Sequence, residues 1–335
     1  MKRNLLGLAA TTTLVFAFAG EALATEWNVS VWGKRRAFTE NVEKIAELVS
    51  AKTNGEFTLN ISYGGLSKAK ENLDGISIGA FEMAQFCAGY HEDKNPSITV
   101  LELPFLGVDS LEKEVEVSQA VYSHPAVVAD LARWNATLLM PTPMPQYNIV
   151  GVGDAPKTLA GFDGLSVRAT GGIGAAMSTL GAIPTSVPAA ETRQAMDSGV
   201  VKAVAFAPHA HMSFGTVENA KWWTTNLNPG TVNCPVVVNT DALAALSDKE
   251  RDALLGSVDE ALAYYIDYYN NQTMAKWGPL LDSKGVERIT YDEATLASFR
   301  EKVAGPAAKA WVEENNARGL PAQELLDLVH SVIAK

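Results

Sequence analysis

The sequence predicts an α/β fold in two lobes, with helices flanking the sheets and one long helix lying across both lobes. Three observations predict it. Strand-like and helix-like segments alternate along the chain. The chain is long enough for two domains of ordinary size. Its longest helical pattern runs from Ser247 to Lys276; about 30 residues at 1.5 Å each reach roughly 45 Å, more than one small lobe spans.

Residues 1–24 read as an export leader. Lys2 and Arg3 make a positive start, Leu5 to Phe18 an apolar run, and Ala22-Leu23-Ala24 the small-x-small pattern that signal peptidases cut, leaving Thr25 first. The apolar run is shorter than the roughly 20 residues a membrane span needs. Trp27 to Trp32 alternates apolar and polar residues as a strand does, and Phe38, Val42, Ile45 and Val49 recur at helical spacing. Phe57, Leu59, Ile61 and Tyr63 return to period two. Gly64-Gly65 leads into a second helix, and Met83 to Cys87 and Val100 to Phe105 read as short buried strands. Ser110 to Trp134 is helical with a break at His124-Pro125, and Thr137 to Met140 is a strand. Pro141, Pro143 and Pro145 mark a crossing between lobes. The α/β rhythm repeats from Tyr147 to Pro235. Ser247 and Glu250 have capping-box spacing at the head of the long helix, and helices at 292–315 and 321–333 close the chain. These breaks suggest a first lobe of 25–146 plus 235–270 and a second of 147–234 plus 271–335.

The net charge is −11 and the apolar share 47%. So acidic a chain suits neither nucleic acid nor anionic lipid. Beyond the leader no run is long and apolar enough to span a bilayer, and membrane insertion is not expected. The molecule as a whole repels an anion, so an anionic ligand needs one local positive group. Export permits a disulfide between Cys87 and Cys234, while their apolar flanks suit two buried free thiols. His209 and His211 lie two apart without a third ligand nearby, so neither a metal nor another cofactor is expected. No G-x-S-x-G, H-E-x-x-H or Walker loop occurs, and an enzyme is not expected.

The segment Phe162 to Thr170 carries most weight. Leu165 and Val167 point one way in a strand, and Ser166 and Arg168 the other. Arg168 falls at the strand's C-terminal end, where ligands bind in open α/β sheets. Gly171-Gly172-Ile173-Gly174 then opens a helix whose N-terminus offers backbone N–H groups to an anion. A guanidinium adds a planar fork that matches a carboxylate or sulfonate. Taken alone, an arginine there more often pairs with a surface carboxylate. Trp32, Phe86 and Tyr90 also fall at strand ends and are candidates for a cleft wall, although core packing is the commoner fate of aromatic residues. Trp222 and Trp223 are adjacent and face opposite ways, so one of them, Trp223, is a candidate. Phe206 and His209 end a strand on the cleft side. Gln146, Tyr147 and Asn233 sit in the crossings, where they can hydrogen-bond a ligand.

Gly164 to Arg168, a helix, and then Leu180-Gly181-Ala182-Ile183-Pro184 match the form G-x-x-x-R, helix, L-G-A-x-P. Glu191, Ala195, Met196 and Gly199 follow in the pattern E-x-x-x-A-L-x-x-G, and Leu103-Pro104-Phe105 and Gly79 to Ala84 add two upstream matches. With these the chain resembles, over essentially its whole mature length, the DctP-type solute-binding proteins of tripartite ATP-independent periplasmic (TRAP) transporters. Val201-Lys202-Ala203 departs from the family's V-D-G, and Phe206 to His211 is unlike the commoner dicarboxylate and sialate members, which leaves the ligand open.

The resemblance implies a two-lobed periplasmic binding protein of mixed sheets flanked by helices, with a long helix spanning both lobes. It implies that Arg168 pairs with the carboxylate of a small organic acid as the lobes close. The closed form then docks on an ion-gradient-driven membrane permease. A monomer is expected. A ligand-sensing protein that signals to a membrane receptor is the alternative reading.

Overall fold

The computed structural model describes residues 24–335, so the leader lies outside the described residues except for Ala24. Eleven strands are described. In chain order the first four are β1 (Thr25–Val31), β2 (Phe57–Tyr63), β3 (Met83–Gln85) and β4 (Ala136–Met140). Then come β5 (Asn148–Gly151), β6 (Ser166–Arg168), β7 (Ile183–Thr185) and β8 (Ala203–Phe206), and finally β9 (Trp222–Thr224), β10 (Val236–Asn239) and β11 (Glu287–Ile289). They form two sheets, ordered β2-β1-β3-β10-β4 and β11-β9-β5-β8-β6-β7. Both are mixed: β10 runs antiparallel to β3 and β4, and β5 antiparallel to β8 and β9.

The first lobe is built by the predicted periodicities. In β1, Trp27, Val29 and Val31 are buried, and Trp27 meets Phe57 of β2 edge to face at 5.1 Å. The helix Glu40–Lys52 buries Val42, Ile45, Leu48 and Val49, worth about 1.5–3 kcal/mol each. The helical stretch after Ser110 breaks where Pro125 requires, into Leu111–Tyr122 and Pro125–Ala132. Residues 100–105, expected as a strand, form none: 100–102 end a 3-10 segment, Pro96–Glu102, and 103–105 follow it outside any helix or strand. Pro96 starts it, and a short apolar run cannot by itself distinguish the two structures.

The chain crosses between lobes at 141–147, from β4 to β5, and returns from β9 to β10. The crossings lie side by side: the Thr142 N–H donates to the Cys234 carbonyl at 3.1 Å and that of Tyr147 to the Gly230 carbonyl at 2.8 Å. A bent helix makes a third link. The capping box at Ser247 and Glu250 is present, but its helix, Asp248–Leu255, ends at Gly256. Glycine is the weakest helix former after proline, and the Ser257 hydroxyl bonds back to the Ala253 carbonyl. The long helix therefore starts at Val258. It runs to Tyr268, loosens into a π turn at Tyr269–Thr273 and continues as Met274–Lys284. Its Ala261 and Leu262 belong to the first lobe's core, its Trp277 and Leu281 to the second's.

The two C-terminal helices differ from expectation in where they pack. Glu293–Ala317 buries Leu296, Phe299 and Val303 in the second lobe's core, but Trp311 and Val312 lie against the first. Ala322–Ile333 buries Leu325, Leu326 and Val329 with Val117 and Val121 of the first lobe. Residues 271–335 are thus shared between the lobes and do not all join the second. An amphipathic stripe specifies burial without specifying which apolar face receives it.

Candidate ligand-binding site

A cavity lies between the lobes, lined by aromatic rings and by the guanidinium groups of Arg36 and Arg168. Six side chains form a closed circuit around it. The Arg36 guanidinium lies 4.3 Å from the centre of the Trp32 ring; Trp32 meets Tyr90 edge to face at 6.0 Å; the Tyr90 hydroxyl accepts from Arg168 Nη2 at 2.9 Å. Arg168 lies 4.6 Å from the Phe206 ring centre, Phe206 meets Phe214 at 6.0 Å, and Arg36 lies 5.3 Å from Phe214. Trp32 and Arg36 follow β1 in the first lobe, while Arg168 and Phe206 end β6 and β8 in the second. The first lobe's Trp32, Phe38 and Cys87 are packed into the second lobe's core cluster, which makes this a closed arrangement.

Arg168 is 3% exposed. Nε donates to the Val187 carbonyl at 2.9 Å and Nη1 to that of Ala205 at 3.5 Å, while Nη2 donates to Tyr90. None of these partners is a carboxylate, and two of the five N–H groups remain free. A buried cation without a counter-ion is costly, and an anion offsets that cost. The Tyr90 oxygen also accepts from the Ala189 N–H at 3.0 Å, so its own proton is left to donate to a ligand.

Glu102 ends the 3-10 segment against the same cavity. Its Oε1 accepts from the Gly89 and Asn233 N–H groups, at 3.1 and 2.9 Å, and its Oε2 is buried without a partner. Burial pushes its pKa up to about 8, so at neutral pH it is a neutral donor. Raising the pH through 8 puts a negative charge beside the ligand. Affinity for an acid is therefore expected to fall, by up to about tenfold per pH unit above that point, and Glu102→Gln should flatten the profile measured by calorimetry between pH 7 and 8.5. In the unliganded protein the raised pKa makes stability fall as pH rises from the ordinary 4.5 to about 8, because over that window only the native state holds the proton. His209 Nδ1 shares a hydrogen bond of 2.9 Å with the Tyr269 hydroxyl, from the π turn of the long helix. Burial and then the Arg36 charge hold the His209 pKa well below the usual histidine range, so it faces the cavity uncharged.

Of the residues the sequence proposed, Arg168, Trp32, Tyr90, Tyr147, Phe206 and His209 meet at this cavity. Four do not. Phe86, just past β3, is fully buried in the first lobe's core, edge-on to His91, while its neighbour Cys87 lines the cavity. Asn233 lies in the irregular return crossing between Val232 and Cys234, which line the cavity; its own side chain accepts from the Tyr122 hydroxyl and donates to Ser118. Gln146 donates to the Val108 carbonyl. Trp223 packs edge to face on Trp277 at 5.6 Å, and Trp222 is buried behind it, so neither enters.

The cavity adds Arg36, Phe38, Glu102, Met144 and Phe214. Two had a signal in the chain: Lys34-Arg35-Arg36 is a basic run in an acidic protein, and Glu102 is a single charge inside Ile98 to Leu106. Phe214 had none. Cys87 and Cys234 also line the cavity and are disulfide-bonded. Their apolar flanks reflect a buried bridge between the segment that follows β3 and the segment that precedes β10, in place of two free thiols.

The glycine run has a packing role. A Cβ on Gly172 would stand 2.1 Å from the Glu102 carbonyl oxygen, and one on Gly171 2.7 Å from Glu102 Oε2. The helix start approaches the first lobe closer than any side chain allows. Gly172→Ala is expected to oppose closure and weaken ligand binding at least roughly tenfold while far-UV circular dichroism stays unchanged; undiminished affinity would show that this contact does not govern closure.

Two lobes of mixed sheet, crossing strands between them and a cationic cavity closed at their junction define a two-lobed solute-binding protein. Residues 29–314 match the family described as bacterial extracellular solute-binding protein, family 7, or DctP. The chain belongs to this family of TRAP-transporter solute receptors.

Solved structures share the fold. A marine metagenome TRAP solute-binding protein specific for aromatic acids, in complex with metahydroxyphenylacetate, superposes with a TM-score of 0.83 at 19% identity, covering 92% of this chain and 98% of that one. DctP7 of Bordetella pertussis, which binds pyroglutamic acid, gives 0.79 at 20% identity, covering 91% and 99%. The outer membrane transporter protein TsaT of Comamonas testosteroni is 23% identical over 297 residues, 88% of this chain and 86% of that protein.

Proposed function

We propose that this protein captures a small organic acid in the extracytoplasmic space and delivers it to a TRAP permease in the membrane. The observation that carries the reading is Arg168: a guanidinium buried at the lobe junction, oriented by two carbonyls and a phenol, with no carboxylate of its own. The ligand's acid group completes it. The Tyr90 proton and protonated Glu102 then supply donors without adding negative charge. Closure follows because the ligand touches Arg168 from one lobe and Trp32 from the other only when the lobes meet.

The fold's relatives support the acid class: similar structures hold pyroglutamate, glucuronate and mandelate. Export is supported by the place where β1 begins. Cleavage after Ala24 would free Thr25, its first residue, without removing any of the sheet. Family 7 is described as one of solute-binding proteins, and turnover of bound acids is not expected.

A thermal-shift screen over carboxylates, sulfonates and their neutral amides tests the proposal. A ligand at 100 times its Kd adds about 2.7 kcal/mol of stability. Acids should raise the Tm and the matched amides should not. Equal shifts for acid and amide would remove the charge from the argument.

A further inference from the structure

A second guanidinium faces the cavity and the family motif does not account for it. Arg36 is 6% exposed. It sits at the head of the short turn Ala37–Thr39, directly after β1. Its Nη1 donates to the carbonyls of Trp32 and Lys34, at 3.0 and 2.8 Å. Nε and Nη2 are both buried without any partner. Those two nitrogens form one edge of the guanidinium, the edge that takes a carboxylate side-on with two parallel N–H···O bonds.

The surroundings fix that edge in place. The guanidinium carbon lies 4.3, 4.5 and 5.3 Å from the ring centres of Trp32, Phe38 and Phe214. Such stacking supports a cation. It does not satisfy the two N–H groups, whose burial costs free energy until an acceptor arrives. Among the described residues the groups that act on its charge are the phenols of Tyr90, Tyr147 and Tyr265, and none is a carboxylate. The walls between the two arginines are the faces and edges of aromatic rings, which suit a flat, apolar body.

We infer that Arg36 is a second acid-group subsite, so that the solute is a diacid: one acid group on the Arg168 side, one on the free edge of Arg36, and a planar unsaturated or aromatic body between them. This rests on the reading of the cavity as the solute site. A monoacid seated on Arg168 leaves the Arg36 edge buried and empty, whereas a diacid satisfies both cations at once.

Matched pairs of acids test this on the purified protein by calorimetry: benzoate against the three benzenedicarboxylates, and phenylacetate against its ring-carboxylated counterparts. At least one diacid should bind roughly 30-fold or more tightly than its monoacid. Arg36→Met should erase that preference by weakening the diacid at least roughly tenfold more than its monoacid, because methionine keeps apolar bulk among the rings and removes the fork. Arg36→Lys, which keeps the charge but not the fork, should fall between them and serves if the methionine variant does not fold. Arg168→Ala should weaken both kinds of acid. Equal affinity for every pair in the unchanged protein, or a diacid preference that survives loss of Arg36, overturns the inference while leaving the Arg168 site standing. Indifference of every acid to Arg168→Ala instead overturns the site reading itself, and this inference with it.

Discussion

Arg168→Ala abolishes the thermal shift produced by any acid ligand, and the unliganded variant still folds. Truncating one partner of a buried, hydrogen-bonded charge pair costs about 2–5 kcal/mol, roughly 30- to several-thousand-fold in Kd. The unliganded protein should lose little, because the guanidinium has no carboxylate partner there and its removal relieves an uncompensated buried charge. Arg168→Lys should recover only part of the affinity, since an ammonium cannot hold the Val187 and Ala205 carbonyls, the Tyr90 hydroxyl and an acid group with one planar fork. Differential scanning fluorimetry with and without a screened acid reads both variants. A shift of undiminished size in the alanine variant would place the ligand elsewhere.

Reduction of the Cys87–Cys234 bridge has the second large effect. The two residues are 147 positions apart, so the cross-link closes a long loop in the unfolded chain. Losing such a bridge costs on the order of 2–5 kcal/mol, a fall in Tm of roughly 3–8 °C for a chain of this length. The bridge also lines the cavity, so ligand affinity should drop with it. Calorimetry with and without a thiol reductant, beside the double variant Cys87→Ser with Cys234→Ser, measures both effects. An unchanged Tm with the thiols shown to be free by mass spectrometry would mean that the bridge adds no stability.

The candidate site was partly legible because some of its signals are local. Arg168 ends a strand before a glycine-opened helix, and strand ends in α/β folds point at clefts. Tyr90, Trp32 and Phe206 were found by the same rule. The rule fails by one position at Phe86, where the side chain facing the cavity is that of its neighbour Cys87; Asn233, proposed from its place in a crossing, is likewise passed over for its neighbours Val232 and Cys234. Arg36 was missed because its role depends on a turn that folds it under three aromatic rings, and turn conformation leaves no periodic trace. The long helix was read with its caps but without its break, since a single glycine among helix formers has a modest local cost.

By itself the sequence determined the alternation of elements, the faces they bury, the capping box at Ser247 and the position of Arg168 at the end of β6. These follow from periodicity and chain-local chemistry. Only the tertiary structure decided that the last helix returns to the first lobe, that Cys87 and Cys234 meet, that Glu102 is buried and protonated, and that a second guanidinium joins the first. Each of those depends on which distant surfaces come together and how much water they exclude. Burial sets the charge state of Glu102 and the unmet hydrogen bonds of Arg36, and burial is a property of the assembled lobes.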